Sequence, residues 1–215
     1  MARLTQRATL SAVALAAFAA VASSTALADE SDVVMIEEHW ELKVGGPDST
    51  RNAPQVSMVM SPRGHLNGDF FVVTFNHGSF PNFSSGGVQV QHWYGDNCLG
   101  AKNSYSKQSL VYDGETVSWK QRMTLGGGAL KFEVVDGDSE SFGTFGNVGV
   151  LQSVVQTELT RLNYYLPAIS ITESGIGFAG NRVSSLTLQK LVWETDGGET
   201  HVLEAPIDIA TGLDP

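Results

Sequence analysis

Between Val117 and Val134 the chain alternates with a period of two residues. Val117, Trp119, Gln121, Met123 and Leu125 fall on one side, and Ser118, Lys120, Arg122 and Thr124 fall on the other. Successive side chains of a strand point to opposite faces, so this pattern restricts the segment to a strand with one buried face. Gly126-Gly127-Gly128 supplies a turn, after which Leu130, Phe132 and Val134 resume the alternation against Lys131 and Glu133. The segment reads as an antiparallel hairpin with its charged face toward water.

Runs of the same character recur at Val33 to Val44, Gln55 to Met60, Phe70 to Asn76, Val88 to Tyr94 and Val183 to Trp193, mostly separated by Gly, Asn, Asp or Pro. Phe70-Phe71-Val72-Val73-Thr74-Phe75 is almost continuously apolar, as a central strand covered on both faces would be. Ile176 to Phe178 and Val183 to Leu186, joined through Ala179 to Arg182, read as a second hairpin. Seven or more strands at this spacing predict an all-β fold, a two-sheet antiparallel β-sandwich of jelly-roll type. One stretch supports two readings: a strand over Val148 to Val155 followed by a helical turn at Glu158 to Leu162, or one amphipathic helix carrying Leu151, Val154, Val155, Leu159, Leu162 and Tyr165.

The first 28 residues carry Arg3 and Arg7, an apolar run from Leu10 to Ala22, and Ala26-Leu27-Ala28. That order matches a secretory signal peptide, too short for a membrane span, and predicts a mature chain that starts near Asp29 and is secreted or periplasmic. Residues 29–215 are expected to form a single domain, and no later apolar run predicts a transmembrane segment. The whole chain carries 13 basic and 23 acidic residues; the leader contains two of the bases and no acid, so the mature charge is −12. Such a balance argues against nucleic acid or anionic lipid as a partner.

Cys98 is the only cysteine, so no intrachain disulfide can form, and burial as a small apolar residue is expected. Catalytic signatures are missing: there is no G-x-S-x-G elbow, H-E-x-x-H pair, C-x-x-C or phosphate loop. His39, His65, His77, His92 and His201 show no metal-ligand spacing. Asp136, Asp138 and Glu140 place carboxylates at alternate positions of an expected acidic loop, which suits calcium, while an ordinary turn explains the same residues. Glu37 and Glu41 are the nearest approach to a glycosidase pair, but two residues on one strand face lie about 13 Å apart at ~3.3 Å per residue, too far for either hydrolytic geometry. Asn82-Phe83-Ser84 matches a glycosylation tripeptide, and the turn-rich segment from Asn76 to Phe83 is a loop where binding residues often sit.

Aromatic and amide residues share strand faces. Gln89, Gln91 and Trp93 lie on one, and Trp119 and Gln121 on another. An aromatic plate with neutral amides beside it is the chemistry of a carbohydrate site, provided the strands are neighbours in one sheet; the alternative is that both tryptophans fill the core.

The order Gly86-Gly87-Val88-Gln89-Val90-Gln91-His92-Trp93, Val117-Ser118-Trp119-Lys120-Gln121, Phe132-Glu133-Val134-Val135-Asp136-Gly137 and Gly177-Phe178-Ala179-Gly180-Asn181-Arg182-Val183 resembles a group of uncharacterised exported bacterial proteins of concanavalin A-like or laminin-G-like type. The resemblance implies a single β-sandwich over most of residues 33 to 200 and assigns no functional residue. The expectation is an exported noncatalytic binding module, its ligand a carbohydrate held by Gln89, Gln91, Trp93, Trp119 and Gln121. The alternatives are a structural or protein-interaction protein of the cell envelope and a polysaccharide hydrolase, with a glycan or an envelope protein as partner.

Overall fold

The computed structural model describes residues 31–45, 54–76, 87–104, 110, 112–146, 149–178, 182–204 and 206–209. The leader, the Asn82 tripeptide, most of the loop after Asn76 and the end of the chain lie outside the described residues.

Among the described residues the strands are β1 (Val33–Val44), β2 (Gln55–Met60), β3 (Asp69–Phe75), β4 (Val88–Tyr94), β5 (Asn97–Asn103), β6 (Thr116–Gly126), β7 (Ala129–Ser139), β8 (Gly143–Phe145), β9 (Gln152–Gln156), β10 (Gly175–Phe178), β11 (Val183–Thr195), β12 (Thr200–Leu203) and β13 (Ile207–Asp208). Among the described residues one short helix, α1 (Pro167–Glu173), is present, just before β10. The strands make two antiparallel sheets. One runs β12-β11-β1-β6-β7-β8, with β13 added to β11 and β9 to β7; the other runs β10-β2-β3-β4-β5.

The predicted hairpin is β6 and β7. Gly127 and Gly128 turn it at φ of 59° and 74°, values that an L side chain rarely adopts. β3 is the middle strand of the five-stranded sheet, and Phe70 to Phe75 are all buried, as expected of a strand covered on both faces.

The main core lies between the sheets. Ile36, Trp40, Leu42 and Val44 of β1 share it with Val117, Trp119 and Met123 of β6, and Val56, Met58, Phe71, Val73 and Phe75 come from the facing sheet. Phe71 stacks on Phe132 with ring centroids 4.8 Å apart, and Phe75 meets Trp119 edge-on at the same distance. Such offset and edge contacts add about 0.5–1.5 kcal/mol each beyond area burial.

Four expectations are corrected here. Ile176 and Val183 do not open a hairpin, because β10 pairs with β2 and β11 pairs with β1, in opposite sheets. The thirteen residues of β11 find a better partner in the twelve-residue β1 than in the four-residue β10, so long-range pairing overrides the local turn signal. No helix forms at Glu158 to Leu162; the strand β9 is followed by an extended crossover from 157 to 166, and the helix comes after it, opened by Pro167. β7 does not stop at Val134 but runs to Ser139, because Gly137 and Ser139 keep turning inward. Cys98 is exposed, on an edge strand all seven of whose residues are exposed, so it is not a core residue.

The crossover closes one end of the sandwich. Thr157 donates its N–H to Gly128 O at the hairpin turn, and Leu162 donates to Val33 O where β1 begins. Asn163 takes the Val33 N–H on its Oδ1 at 2.9 Å. Leu162 and Tyr165 point into the core, while Tyr164 and Leu166 between and beyond them face out.

Candidate functional site

The structure divides the five residues of the expected carbohydrate face between two sheets. Gln89, Gln91 and Trp93 line the outer face of β4, where Trp93 donates its Nε1–H to Gln91 Oε1 at 2.9 Å and stacks on Phe70. Trp119 and Gln121 are on the inner face of β6, 2% and 0% exposed. No single surface contains both groups, and Trp119 is core.

Asp136 and Asp138 stand exposed on the outer face of β7 rather than in a turn, and Glu140 is exposed just beyond the strand. Asp136 is paired with Lys120 Nζ at 3.0 Å. Among the described residues no three His, Cys, Asp or Glu side chains come together as a metal site would require.

A different constellation forms around Glu38. Period two puts Glu38 in the inward phase of β1, between Ile36 and Trp40, and its residue is 0% exposed. Its Oε2 accepts from Trp40 Nε1 at 2.8 Å and from Gln121 Nε2 at 2.7 Å. Its Oε1 accepts from the Tyr165 hydroxyl. Gln121 is in turn positioned by Trp119, whose Nε1–H reaches Gln121 Oε1 at 3.4 Å. The two indoles lie nearly parallel, their centroids 6.2 Å apart, so Trp40 and Trp119 form one wall beside the acid. Ser170 of α1 is fully buried beside Glu38 and Tyr165, yet its Oγ has no hydrogen bond of acceptable geometry.

Strand register makes this arrangement. Glu38 is the direct cross-strand partner of Gln121, and Trp40 that of Trp119. A register shift lies on each flank, between His39 and Trp40 against β11 and between Lys120 and Gln121 against β7. Bulges bend a strand and re-aim its side chains, and here they bracket the acid and the amide.

Burial dominates the electrostatics of Glu38 and raises its carboxyl above the usual range, against the opposing pull of its hydrogen-bond donors. Burial, with the nearby Glu38 charge, also pushes the Tyr165 phenol well up, so it stays a donor. Glu37, one residue earlier, has the opposite fate on the outer face. Burial would raise it, but hydrogen bonds from His39 Nε2 at 2.6 Å and Arg122 Nε at 2.7 Å prevail and hold it at about 2.

Among the acids of β1 the sequence pattern singles out Glu37 and Glu41, not Glu38. A signal was available: an ionisable residue in the apolar phase of an otherwise alternating strand, with a glutamine in the same phase of β6. Ser170 carries no such signal, and Tyr165 shows one only as part of an amphipathic helix that does not form.

No protein-family model and no curated protein sequence matches this chain. Among solved structures it is similar to scytalido-glutamic peptidase, crystallised with a transition-state analogue inhibitor, at 10% identity over 81% of this chain and 82% of that one, with a TM-score of 0.32. It is also similar to SCP-B, a member of the Eqolisin family of peptidases in complex with the tripeptide Ala-Ile-His, at 12% identity over 81% of each chain, with a TM-score of 0.27. The expectation of a noncatalytic binding module that holds carbohydrate on these five residues is corrected, because β4 and β6 belong to different sheets and Trp119 and Gln121 are buried between them.

Proposed function

We propose that this chain is a hydrolase that cleaves peptide-type acyl bonds, with Glu38 as acid–base residue and Gln121 as its positioning carboxamide. One observation carries the reading: a completely buried carboxyl, raised by desolvation, sits among aimed N–H and O–H donors from Gln121, Trp40 and Tyr165. Strongly perturbed titratable groups in such surroundings are what acid–base chemistry requires. No second carboxylate is bonded into this constellation among the described residues, which separates it from the two-carboxylate geometry of glycoside hydrolysis.

The chemistry balances with water alone. Ionised Glu38 takes one proton from a water molecule as its oxygen bonds to the acyl carbon. Gln121 Nε2 and the Trp40 indole N–H are donors of the kind that stabilise the developing oxyanion. Glu38 then returns the proton to the leaving nitrogen as the C–N bond breaks, giving an acid and an amine. Tyr165 and Ser170 cover the acid from the crossover and α1, so the crossover has to withdraw for substrate to enter. Hydrogen bonds at Thr157, Leu162 and Asn163 and the buried Leu162 and Tyr165 side chains, rather than a strand ladder, hold that segment to the end of the sandwich.

The test is incubation of the mature chain with unfolded casein from about pH 3 to about pH 9, a range that spans both protonation states of a raised carboxyl, with fragments identified by mass spectrometry. Cleavage that falls by roughly a thousandfold in Glu38→Gln, as loss of an acid–base residue implies, and is weakened in Gln121→Ala supports the assignment. A wild-type rate in folded Glu38→Gln, or no cleavage by wild type at any pH, ends it.

A further inference from the structure

The outward side of the same crossover faces a cleft of about 560 Å³, bounded by the β2–β3 loop and lined by Arg63, His65, Leu159, Asn163, Tyr164 and Leu166. Its volume is within the roughly 300–1,000 Å³ range of small-ligand sites, and its walls are mostly apolar with a few polar groups, the composition such sites share. Leu166 and Tyr164 are 50% and 60% exposed, an unusual surface position for two large side chains side by side.

Charge decides what the cleft would take. The chain as a whole carries −10, yet none of the lining residues is acidic. Arg63 has no side-chain hydrogen bond or ion pair among the described residues, whereas Arg161 nearby is already paired with Asp32. The open guanidinium is a planar donor matched to a carboxylate, and His65 adds a ring N–H. Leu159, Tyr164 and Leu166 supply the surface for an aliphatic side chain.

We infer that this cleft binds the free C-terminal carboxylate of a peptide whose last side chain is apolar, with Arg63 on the carboxylate and Tyr164 and Leu166 against the side chain. That the ligand is a peptide rests on the hydrolase reading; the preference for an apolar carboxylate does not. Tyr164 and Tyr165 are neighbours, so the cleft and the Glu38 cover are two sides of one segment.

The experiment measures binding of N-acetyl-leucine and of its neutral amide, N-acetyl-leucinamide, by NMR chemical-shift titration of the folded Glu38→Gln variant, which removes any turnover. The acid is expected to bind at least roughly tenfold more tightly than the amide, the preference to vanish in Arg63→Gln, and both ligands to weaken in Tyr164→Ala. Both substitutions are at exposed positions, and retained spectra will show that each variant is folded. Equal affinity for acid and amide, no saturation by either at roughly 20 mM, about twenty times a 1 mM Kd, or unchanged discrimination in Arg63→Gln would overturn the inference. Binding in a chain that cleaves nothing would uphold the cleft and leave the hydrolase reading to fail alone; cleavage by wild type with no binding would do the reverse.

Discussion

Gln121 sits directly opposite Glu38 in the β1–β6 ladder and donates its side-chain N–H to the carboxyl at 2.7 Å. The pair is therefore fixed by backbone register between two central strands, not by a loop. One residue earlier, Glu37 uses the same ladder to meet Arg122 on the opposite face. Two adjacent glutamates thus have their acidities driven apart by the two sides of one sheet, an arrangement that separates acid from base roles.

That separation predicts a two-sided pH profile of stability. Glu37 is held at about 2 in the folded chain, below its ordinary 4.5, so its contribution is present above pH 4.5 and lost as pH falls toward 2. Allowing for solvent screening of Arg122, the loss is about 2 kcal/mol. Glu38 is raised, so its contribution is complete below its ordinary 4.5 and is lost as pH rises through the folded value. Thermal melts from pH 2 to 8 should show Glu37→Gln flattening the acid limb and Glu38→Gln gaining on wild type as pH rises. A Glu38→Gln minus wild-type difference that is constant with pH would refute the second half.

The two tryptophans of the expected carbohydrate face should behave differently. Trp119 is 2% exposed, and its truncation to alanine should cost about 3–5 kcal/mol. Trp93, half-buried on the outer face of β4, should cost about 1–2 kcal/mol, the worth of a partly buried side chain and its stacking on Phe70. Urea unfolding of Trp93→Ala and Trp119→Ala distinguishes them, and equal losses would contradict the burial described above.

Much of the fold was legible in the sequence because its strands are half-buried and antiparallel. Alternation in β6 and β7 and the apolar run of β3 translate directly into one and two covered faces. Strand pairing between distant segments was not legible, since nothing local to Ile176 says that β2 has a free edge. The candidate site was half legible: Glu38 and Gln121 are out of place in their strands, but only assembly reveals that they are opposite each other. Tyr165 and Ser170 come from a crossover and a short helix whose inward residues follow no repeat. Cys98 shows the remaining limit, because a statistical preference for burial yields to the position of an edge strand.

Cys98 should react in the native state. Exposed on β5, it is expected to take one equivalent of a thiol reagent without denaturant, and Cys98→Ser should change stability by less than about 0.5 kcal/mol. Labelling that waits for urea would place the thiol inside instead.

Gly137 should not tolerate a side chain. A Cβ at this position would lie 2.2 Å from the Phe145 ring, and its cross-strand partners are Trp119 and Phe145. Gly137→Ala is expected to cost about 1–3 kcal/mol through overpacking, read as a lower urea midpoint with an unchanged m-value.

The Glu38 cluster also acts as a proofreader of assembly. Its partners are 83 and 127 residues away along the chain, so it closes only after β1, β6 and the crossover have all arrived. A slip of β1 by one residue would turn Glu38 and Trp40 to water and drive Glu37 and His39 inward against Trp119, leaving charge without a counterpart in the driest part of the molecule. The acid that would do the chemistry thereby also reports on the alignment of the sheet that carries it.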